Sequence, residues 1–231
     1  MLFSNKRDLP KLDITLNNNK LDVVNETSFL GVVIDNKLTW KAHVKHICKK
    51  ISKSVAILRF VKYSFPKNAL RLIYMSLIFS HINYCNLIWG SAYKTTLDPL
   101  FKLQKKAVRL VNKSGYLDHT EPIFLSLRIL TVQKVFMINC VKFIFKCITS
   151  SKFPEYRIRL KKNSDISPYN TRGKNLLRPP RERLELCRNS FFVRGINLWN
   201  LLDDECKLSM NIFQFKRNVK CMMFDGKFPN V

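Results

Sequence analysis

The stretch "SFLGVVIDNKLTWKAHVKHICKK", residues 28–50, joins two different patterns within 23 residues. Its first part is a strand-like apolar run that ends at Asp35, and a short polar turn follows. Thr39 is of a residue type preferred as a helix N-cap, so we expect a helix to begin at Trp40. The stretch therefore predicts a buried strand that runs directly into a helix.

The helix predicted after Thr39 has one apolar and one basic face. Its apolar residues recur at spacings of three and four: Trp40, Val44, Ile47, Ile51, Val55 and Leu58. The cations on its opposite face, which we call the first basic stripe, are Lys41, Lys45, Lys49 and Lys53. A helix over residues 97–113 repeats this design, with Leu97, Leu100, Leu103, Ala107 and Leu110 on its apolar side. Its cations form the second basic stripe: Lys102, Lys106, Arg109 and Lys113.

The remaining segments complete a fold class of α+β, mostly α. Residues 1–36 alternate as short strands, which predicts a small N-terminal antiparallel β meander. Residues 66–89 are apolar nearly all round, which predicts one central, buried helix with Pro66 in its first turn and Gly90 as its C-cap. Thr131 can cap an apolar helix over 132–149, and two shorter helical patterns cover 191–202 and 211–223.

The positive charge is concentrated in the middle of the chain. The net charge is +25, yet residues 1–40 hold five basic and five acidic side chains, whereas residues 41–117 hold fifteen basic side chains and one acid, Asp98. Ordinary solvated helix faces mix Glu with Lys, because like charges at i,i+4 repel. Phosphates would neutralise that repulsion, so the two stripes favour contact with a nucleic-acid backbone over a merely solvated face.

Cysteine usage and hydropathy predict a compartment. The seven cysteines are odd in number and include no CxxC pair, which is typical of reduced thiols and not of a disulfide framework. The start of the chain lacks the pattern of a secretory signal. The most apolar stretch, residues 135–148, is too short to span a bilayer. We therefore expect an intracellular protein, nuclear or cytoplasmic and not secreted, with no membrane partner.

Two clusters resemble metal sites but favour simpler interpretations. His43, His46 and Cys48 lie close together, yet a fourth zinc ligand is missing, so surface histidines are favoured. Asp203 and Asp204 are adjacent but follow a helical pattern, which favours a solvated helix end over a pair of metal ligands. The sequence thus predicts no metal site.

Several aromatic and histidine side chains leave alternatives open. His81 and Tyr84 fall in the apolar segment, where a hydrogen-bonded core pair is favoured over contact with nucleic acid. Tyr63, Phe65 and Tyr93 lie near the basic stripes. They are candidates either for stacking on bases or for packing in the core.

Six segments of the chain together resemble one protein family. "FLGVVIDNKLTWKAHV", "IYMSLIFSHINYCNLIWG" and "LFKLQKKAVRLV", in this order, resemble the part that follows the polymerase active site in reverse transcriptases of non-LTR (LINE-type) retrotransposons. "NTRGKNLLRPPRE", "SFFVRGINLWNLL" and "FKRNVK" resemble the C-terminal region of the same family. The resemblance covers almost the whole chain and is strongest over residues 28–112.

This resemblance implies a domain organisation. The "FLG" strand is similar to the last palm strand of the family, whose backbone around Leu30 and Gly31 would hold the primer end. The implied division is 1–40 as distal palm strands, 41–117 as a basic helical thumb, 118–149 as an apolar helix packing on the thumb, 150–188 as a basic linker or arm, and 189–231 as a C-terminal helical segment.

The resemblance also implies a function. The chain would be a nucleic-acid-binding fragment of an RNA-directed DNA polymerase that grips the RNA–DNA template–primer duplex, and its protein partners would be the palm and fingers of the parent polymerase. Such polymerases hold Mg²⁺ with paired aspartates. No Asp-Asp turn precedes Phe29, so we expect a truncated chain that binds no cofactor or small-molecule substrate and is inactive alone.

Two alternatives to this function stay open. The chain can be an independently used basic RNA- or DNA-binding protein derived from such an element. A membrane-surface protein is a weaker alternative, because both basic helices also carry an apolar face for burial.

Overall fold

The computed structural model describes residues 1–4, 14–166, 168–169 and 171–228. The chain divides into two compact units: unit 1 holds residues 1–85 and 92–118, and unit 2 holds residues 86–91 and 119–231. The fold class predicted from the sequence is confirmed, because the protein is mostly helical with small antiparallel strand pairs at its N-terminus. Among the described residues, no helix combines the length and apolarity needed to cross a membrane.

The strands form two separate hairpins. β1 (Thr15–Leu16) pairs with β2 (Asn19–Lys20), and β3 (Glu26–Phe29) pairs with β4 (Val32–Asp35), both antiparallel. The predicted small antiparallel strand region is thus present, and among the described residues it consists of two separate hairpins and not of one continuous meander. Residues 1–4 form no strand, and residues 5–13, which include part of a predicted strand, lie outside the described residues.

The continuous strand predicted over residues 28–35 is a hairpin instead. Leu30 and Gly31 have φ values of 47° and 77° and form a two-residue loop between β3 and β4. Positive φ at both loop positions is the geometry that matches the twist of the flanking strands. Glycine adopts it without strain, whereas leucine does so at a cost of about 1–2 kcal/mol. Only β4 contributes buried residues, since all of β3 is exposed.

Helix α1 (Lys41–Val61) begins one residue later than predicted and is capped differently. Trp40 occupies the N-cap position in a left-handed conformation, with φ of 63°, and has no side-chain cap. The hydroxyl of Thr39 donates to the carboxylate of Asp35 at 3.0 Å. That carboxylate also accepts from the backbone N–H groups of Thr39 at 2.8 Å and Trp40 at 2.9 Å. The hydroxyl oxygen of Thr39 accepts from the backbone N–H of Lys41 at 3.5 Å, a longer contact, so Asp35 makes the shorter and more numerous hydrogen bonds at the start of the helix.

The single helix predicted over residues 66–89 is interrupted. It consists of α2 (Lys67–Tyr74), a π-helical turn (Met75–Phe79), α3 (Ser80–Asn83) and α4 (Asn86–Trp89). Tyr84 is extended and Cys85 has φ of 46°, which ends the helix where the chain passes from unit 1 to unit 2. The prediction of an all-round buried helix is also wrong, since its large exposed side chains are Leu72, Leu77, Tyr84 and Ile88.

Helix α5 (Lys94–Asn112) packs against α1 and completes the core of unit 1. Ile51 and Leu58 of α1 and Leu100 of α5 are fully buried. One polar pair lies within this core: the side-chain amide of Gln104 donates to the hydroxyl of Tyr74 at 2.9 Å. Burial raises the pKa of Tyr74, so the phenol stays neutral and its oxygen is satisfied without a charge.

Unit 2 is built around one long apolar helix. Its elements are α4, α6 (Glu121–Ser126), α7 (Val132–Thr149), α8 (Pro154–Arg159), a 3₁₀ turn (Asn163–Asp165), α9 (Glu185–Arg188), α10 (Phe191–Asn200), α11 (Asp204–Lys207) and α12 (Ile212–Phe224). Helix α7 packs against α4, α8, α10 and α12. The predicted cap is confirmed, because the hydroxyl of Thr131 accepts from the backbone N–H of Lys134 at 3.3 Å.

The polar segment 150–188 is anchored to α10. The side chain of Asn200 exchanges two hydrogen bonds with the backbone of Leu177, accepting from its N–H at 3.0 Å and donating to its carbonyl at 2.7 Å. Leu177 is buried. The segment is therefore tied down at this residue by a paired backbone group and an apolar contact.

Close approach of α10 to α7 depends on Gly195. A Cβ placed on Gly195 would lie 2.9 Å from Cγ1 of Ile144 and 3.2 Å from the carbonyl oxygen of Cys140, both on α7. Neither neighbour is the free end of a flexible surface chain, since Ile144 is fully buried and the other atom is backbone. Any side chain at this position pushes the two helices apart.

We predict that Gly195→Ala destabilises the protein by about 1–3 kcal/mol, the usual cost of overpacking a core. The measurement is chemical denaturation followed by circular dichroism. Gly173→Ala is the matched control, because there the nearest atom is a leucine methyl at 3.4 Å, an ordinary contact distance. Equal stability of the two variants would contradict the close packing of α10 on α7.

Candidate nucleic-acid interface

The first basic stripe lies on the solvent side of α1. Lys41, Lys45, Lys49 and Lys53 are all exposed. The opposite side of the helix carries its buried residues, which are His43, Val44, Ile47, Ile51, Ser54, Val55 and Leu58. Burial of that apolar side fixes the rotation of the helix about its axis. All four lysines are therefore directed to solvent by the same constraint, which is the burial of the opposite side of the helix.

The N-terminal half of this stripe is a ridge between two grooves. On one side, Lys41 and Lys45 share a groove with the first turns of α5, at Thr95, Thr96 and Pro99. The other groove separates α1 from the β3–β4 hairpin, and its lining includes Lys41, Lys45, Lys49, Glu26 and Val33. The structure thus brings the first stripe, the hairpin and the start of α5 together in unit 1.

The second basic stripe is less uniform than the first. Lys102 and Lys113 are exposed, whereas Lys106 and Arg109 are partly exposed. Nε of Arg109 donates to the carbonyl oxygen of Asp118 at 2.9 Å, which orients the guanidinium and uses one of its five N–H donors. Lys113 is one residue beyond the end of α5, in a left-handed conformation. Three members thus belong to the helix face, and the fourth extends it.

Few acidic side chains accompany the two stripes: Glu26 lines the groove beside the first stripe, and Asp98 precedes Lys102 by one helical turn on α5. No Asp or Glu occurs between residues 36 and 97. Within the described part of the chain, the salt bridge between the side chains of Lys207 and Asp204 involves neither stripe. Lysines at i and i+4 repel one another by a few tenths of a kcal/mol per pair. This arrangement costs stability and creates a field that attracts polyanions.

The predicted grip residues lie at the tip of the β3–β4 hairpin. Leu30 is 73% exposed, and its carbonyl oxygen accepts a hydrogen bond from the hydroxyl of Tyr84 at 2.7 Å. Gly31 lies beside the same ring, since a Cβ on it would be 3.8 Å from Cε1 of Tyr84. Tyr84 is 52% exposed, so the predicted core pair of His81 and Tyr84 is wrong. The tyrosine instead positions the exposed hairpin tip.

His43 is a structural residue and not the surface histidine that the sequence predicted. It is 2% exposed, and its Nδ1 accepts from the backbone N–H of Val33 at 3.2 Å, which ties β4 to α1. Burial, together with the positive charges of His46 and Lys50, lowers the pKa of His43 to about 4. The imidazole is therefore neutral at physiological pH and carries its proton on Nε2.

The apparent metal sites have other roles. In the described ranges, no group of three or more His, Cys, Asp and Glu side chains is arranged to hold a metal ion. Asp203 is the N-cap residue of α11, and Asp204, in its first turn, forms an exposed salt bridge with Lys207 at 3.3 Å. All seven cysteines are free thiols. Burial raises the pKa of Cys48, which disfavours the thiolate that a metal requires.

The aromatic side chains near the stripes point to solvent and do not pack in the core. Tyr63 is 79% exposed, Tyr93 is 56% exposed and Phe65 is 43% exposed. Phe60, which was not among the residues predicted from the sequence, is the most exposed of the group at 85%. The exposure of Phe60 could have been predicted from the sequence, because Phe60 lies seven residues after Lys53 and hence on the lysine face of α1.

Comparisons of this chain with family models, with curated proteins and with solved structures find no match.

The buried imidazole of His43 makes the stability of the fold depend on pH. An unfolded chain takes up the His43 proton near pH 6.5, whereas the folded chain takes it up only near pH 4. Between these values the unfolded state binds more protons, so stability falls as pH falls. We predict a loss of up to about 3 kcal/mol from pH 7 to pH 4 that is absent in His43→Gln.

The measurement is urea denaturation at several pH values, with His119→Gln as the control because that histidine is exposed. The prediction concerns the difference between variants, because other groups also titrate in this range. A His43→Gln protein that retains the full pH dependence of the wild type would exclude His43 as its source.

Proposed function

We propose that unit 1 binds the phosphate backbone of a nucleic-acid duplex. The observation that carries this proposal is the pair of basic stripes on packed helices, whose members form no salt bridge among the described residues. Four cations lie on α1, three lie on α5, and Lys113 lies one residue beyond the end of α5; among the described residues none of the eight forms a salt bridge with a carboxylate. Bound phosphates would neutralise the cations of the stripes and so remove their mutual repulsion. The release of the counterions that surround the phosphates also favours binding. Because lysine and arginine on such faces contact phosphates and not base edges, binding is independent of sequence.

We further propose that this duplex is the template–primer of a reverse transcriptase of the non-LTR retrotransposon type. The sequence resemblance supports this more specific proposal, and the arrangement of unit 1 agrees with it. The exposed tip at Leu30 and Gly31 lies at the other end of the hairpin from Asp35, where α1 starts. The same hairpin borders the groove lined by Lys41, Lys45 and Lys49, so a primer end held at the tip would lie on the element that flanks the first basic stripe, as a primer grip next to a thumb requires.

Strain at the hairpin tip also supports a binding role. Leu30 has a positive φ that glycine or asparagine adopts more readily, and its side chain is largely exposed. An exposed residue of this kind gains little from packing that would offset its strain. Strained backbone of this sort is concentrated at binding sites.

Magnesium, in this proposal, belongs to the palm of the parent polymerase. Metal-assisted nucleotide transfer needs carboxylates that converge on the ion. Asp203 and Asp204 do not fit this requirement, because Asp204 is paired with Lys207 at the exposed start of a short helix. The chain alone is then a binding fragment. An independent basic RNA- or DNA-binding protein is the other function compatible with the stripes, and it needs no polymerase partner.

The second stripe supplies the first test. We predict that replacing Lys102, Lys106, Arg109 and Lys113 together with Gln leaves the fold intact by circular dichroism, because Gln keeps a high helix propensity. Binding to a labelled RNA–DNA duplex is measured by fluorescence anisotropy over a range of salt concentrations. The slope of log K against log[salt] falls by about two to four units, because each phosphate that is no longer neutralised lowers it by about 0.9 on a B-form duplex.

The matched control removes four exposed cations from unit 2: Lys152, Arg157, Arg159 and Lys161. Both variants lose the same net charge, so a general electrostatic effect lowers both slopes equally. The proposal requires a larger loss in the stripe variant. Equal losses would show that binding follows net charge and not the stripe.

The absence of catalysis is tested by primer extension. We predict that the purified chain, supplied with Mg²⁺, deoxynucleotides and a primed RNA template, binds the substrate but extends no primer. A known reverse transcriptase serves as the positive control. A template-directed product would contradict the assignment of this chain as a binding fragment.

A further inference from the structure

A group of aromatic rings is exposed where α1 ends. The aromatic patch, which we define as Phe60, Tyr63 and Phe65, lies within six residues of sequence. Phe60 and Tyr63 are among the most exposed large side chains of the protein. Leaving such rings in water forgoes roughly 1.5–3 kcal/mol of burial for each. Exposed apolar patches of this kind mark interaction sites.

The surroundings of the aromatic patch indicate the chemistry of its ligand. Nζ of Lys62 lies 4.5 Å from the ring centroid of Tyr63, a cation–π contact. Arg59 and Lys67 are exposed on either side, and the acid-free stretch 36–97 encloses the whole patch. An apolar protein partner would gain nothing from these cations, whereas rings combined with cations are the composition that binds bases and phosphates of a single strand.

The position of Phe60 connects the patch to the first basic stripe. Phe60 follows Lys53 by seven residues and Lys49 by eleven, so all three lie on the solvent face of α1. At about 1.5 Å per residue, Phe60 is roughly 10 Å along the helix axis from Lys53. Along this face, lysines suited to phosphates are followed by a ring suited to bases.

We propose that the aromatic patch binds unpaired nucleotides by stacking, with Arg59, Lys62 and Lys67 contacting their phosphates. A duplex keeps its bases stacked internally, so these rings can engage only bases that are unpaired. The activity goes beyond the proposed duplex binding, since it concerns single-stranded nucleic acid and different side chains. A strand leaving a duplex on the first stripe would meet the patch about two helical turns further on.

The test separates stacking from other kinds of apolar contact. In the full chain, Phe60, Tyr63 and Phe65 are replaced by Leu, which keeps an apolar side chain and removes the ring. Affinity is measured by fluorescence anisotropy for a labelled 12-nucleotide single strand and for a blunt duplex of the same sequence. We expect single-strand affinity to fall about ten-fold or more, with duplex affinity changed less than two-fold.

Two controls and one direct readout accompany this comparison. Leu72→Ala and Phe213→Leu alter exposed apolar residues outside the patch and should leave single-strand affinity unchanged, whereas Phe60→Trp, which keeps a ring, should preserve it. A single strand carrying 5-iodouracil is photocrosslinked to the wild-type protein. The crosslinked peptide should contain Phe60, Tyr63 or Phe65, a result that does not depend on the folding of any variant.

The alternatives give different results. Unchanged single-strand affinity in the Leu variant, with crosslinks elsewhere, would overturn the proposal and leave the patch as an apolar face for a protein partner. An equal loss for duplex and single strand would also overturn it. If the second-stripe variant leaves duplex binding unchanged while crosslinks still map to the patch, the proposed duplex function fails and this inference stands.

Discussion

Three hydrogen bonds to the carboxylate of Asp35 set the direction in which α1 leaves the hairpin. The donors are the backbone N–H and hydroxyl of Thr39 and the backbone N–H of Trp40, at 2.8–3.0 Å. Burial alone would raise the pKa of Asp35, but these hydrogen bonds outweigh it, and the pKa is lowered. The carboxylate therefore stays charged at neutral pH, where hydrogen bonds of this kind contribute about 1.5–3 kcal/mol each.

The direction of α1 in turn decides what unit 1 presents to solvent. Once the apolar side of α1 packs against α5, the lysines of the first stripe have no position except the surface. His43 reinforces the same orientation from the buried side, because its Nδ1 accepts from the backbone of β4. The charged face is thus a consequence of the cap and the core. The repulsion along it is the stability cost of a surface suited to phosphates.

The two units use different physical devices. Unit 1 holds several non-glycine residues at positive φ, among them Leu30, Leu38 and Trp40, and stabilises them with directed hydrogen bonds. Unit 2 relies on close packing of its helices. Gly195 admits α10 to the surface of α7, and Phe145 of α7 stacks on Phe215 of α12 with ring centroids 4.5 Å apart. Of these three residues only Leu30 is largely exposed, and strained backbone of that kind is typical of binding sites, whereas tight aromatic packing is suited to holding a scaffold.

The sequence by itself determined the long helices and the two basic stripes. Periodicity of three and four residues and a local cap such as Thr131 depend on neighbours along the chain, so α1, α5 and α7 could be placed closely. The exposure of the stripes followed from the same periodicity. Caps that rely on a residue several positions upstream were missed, as Asp35 shows.

Only the tertiary structure decided the turn at Leu30 and Gly31, the burial of His43 and the helix break at Cys85. Each depends either on a contact with a residue outside the local segment or on the passage of the chain from one unit to the other, and a local sequence pattern shows neither. The hairpin tip is held by Tyr84, 54 residues away; His43 is held by the backbone of Val33; and the break lies where the chain passes between units. Apolar runs report that a segment is buried, but the burial of any one side chain depends on what packs against it.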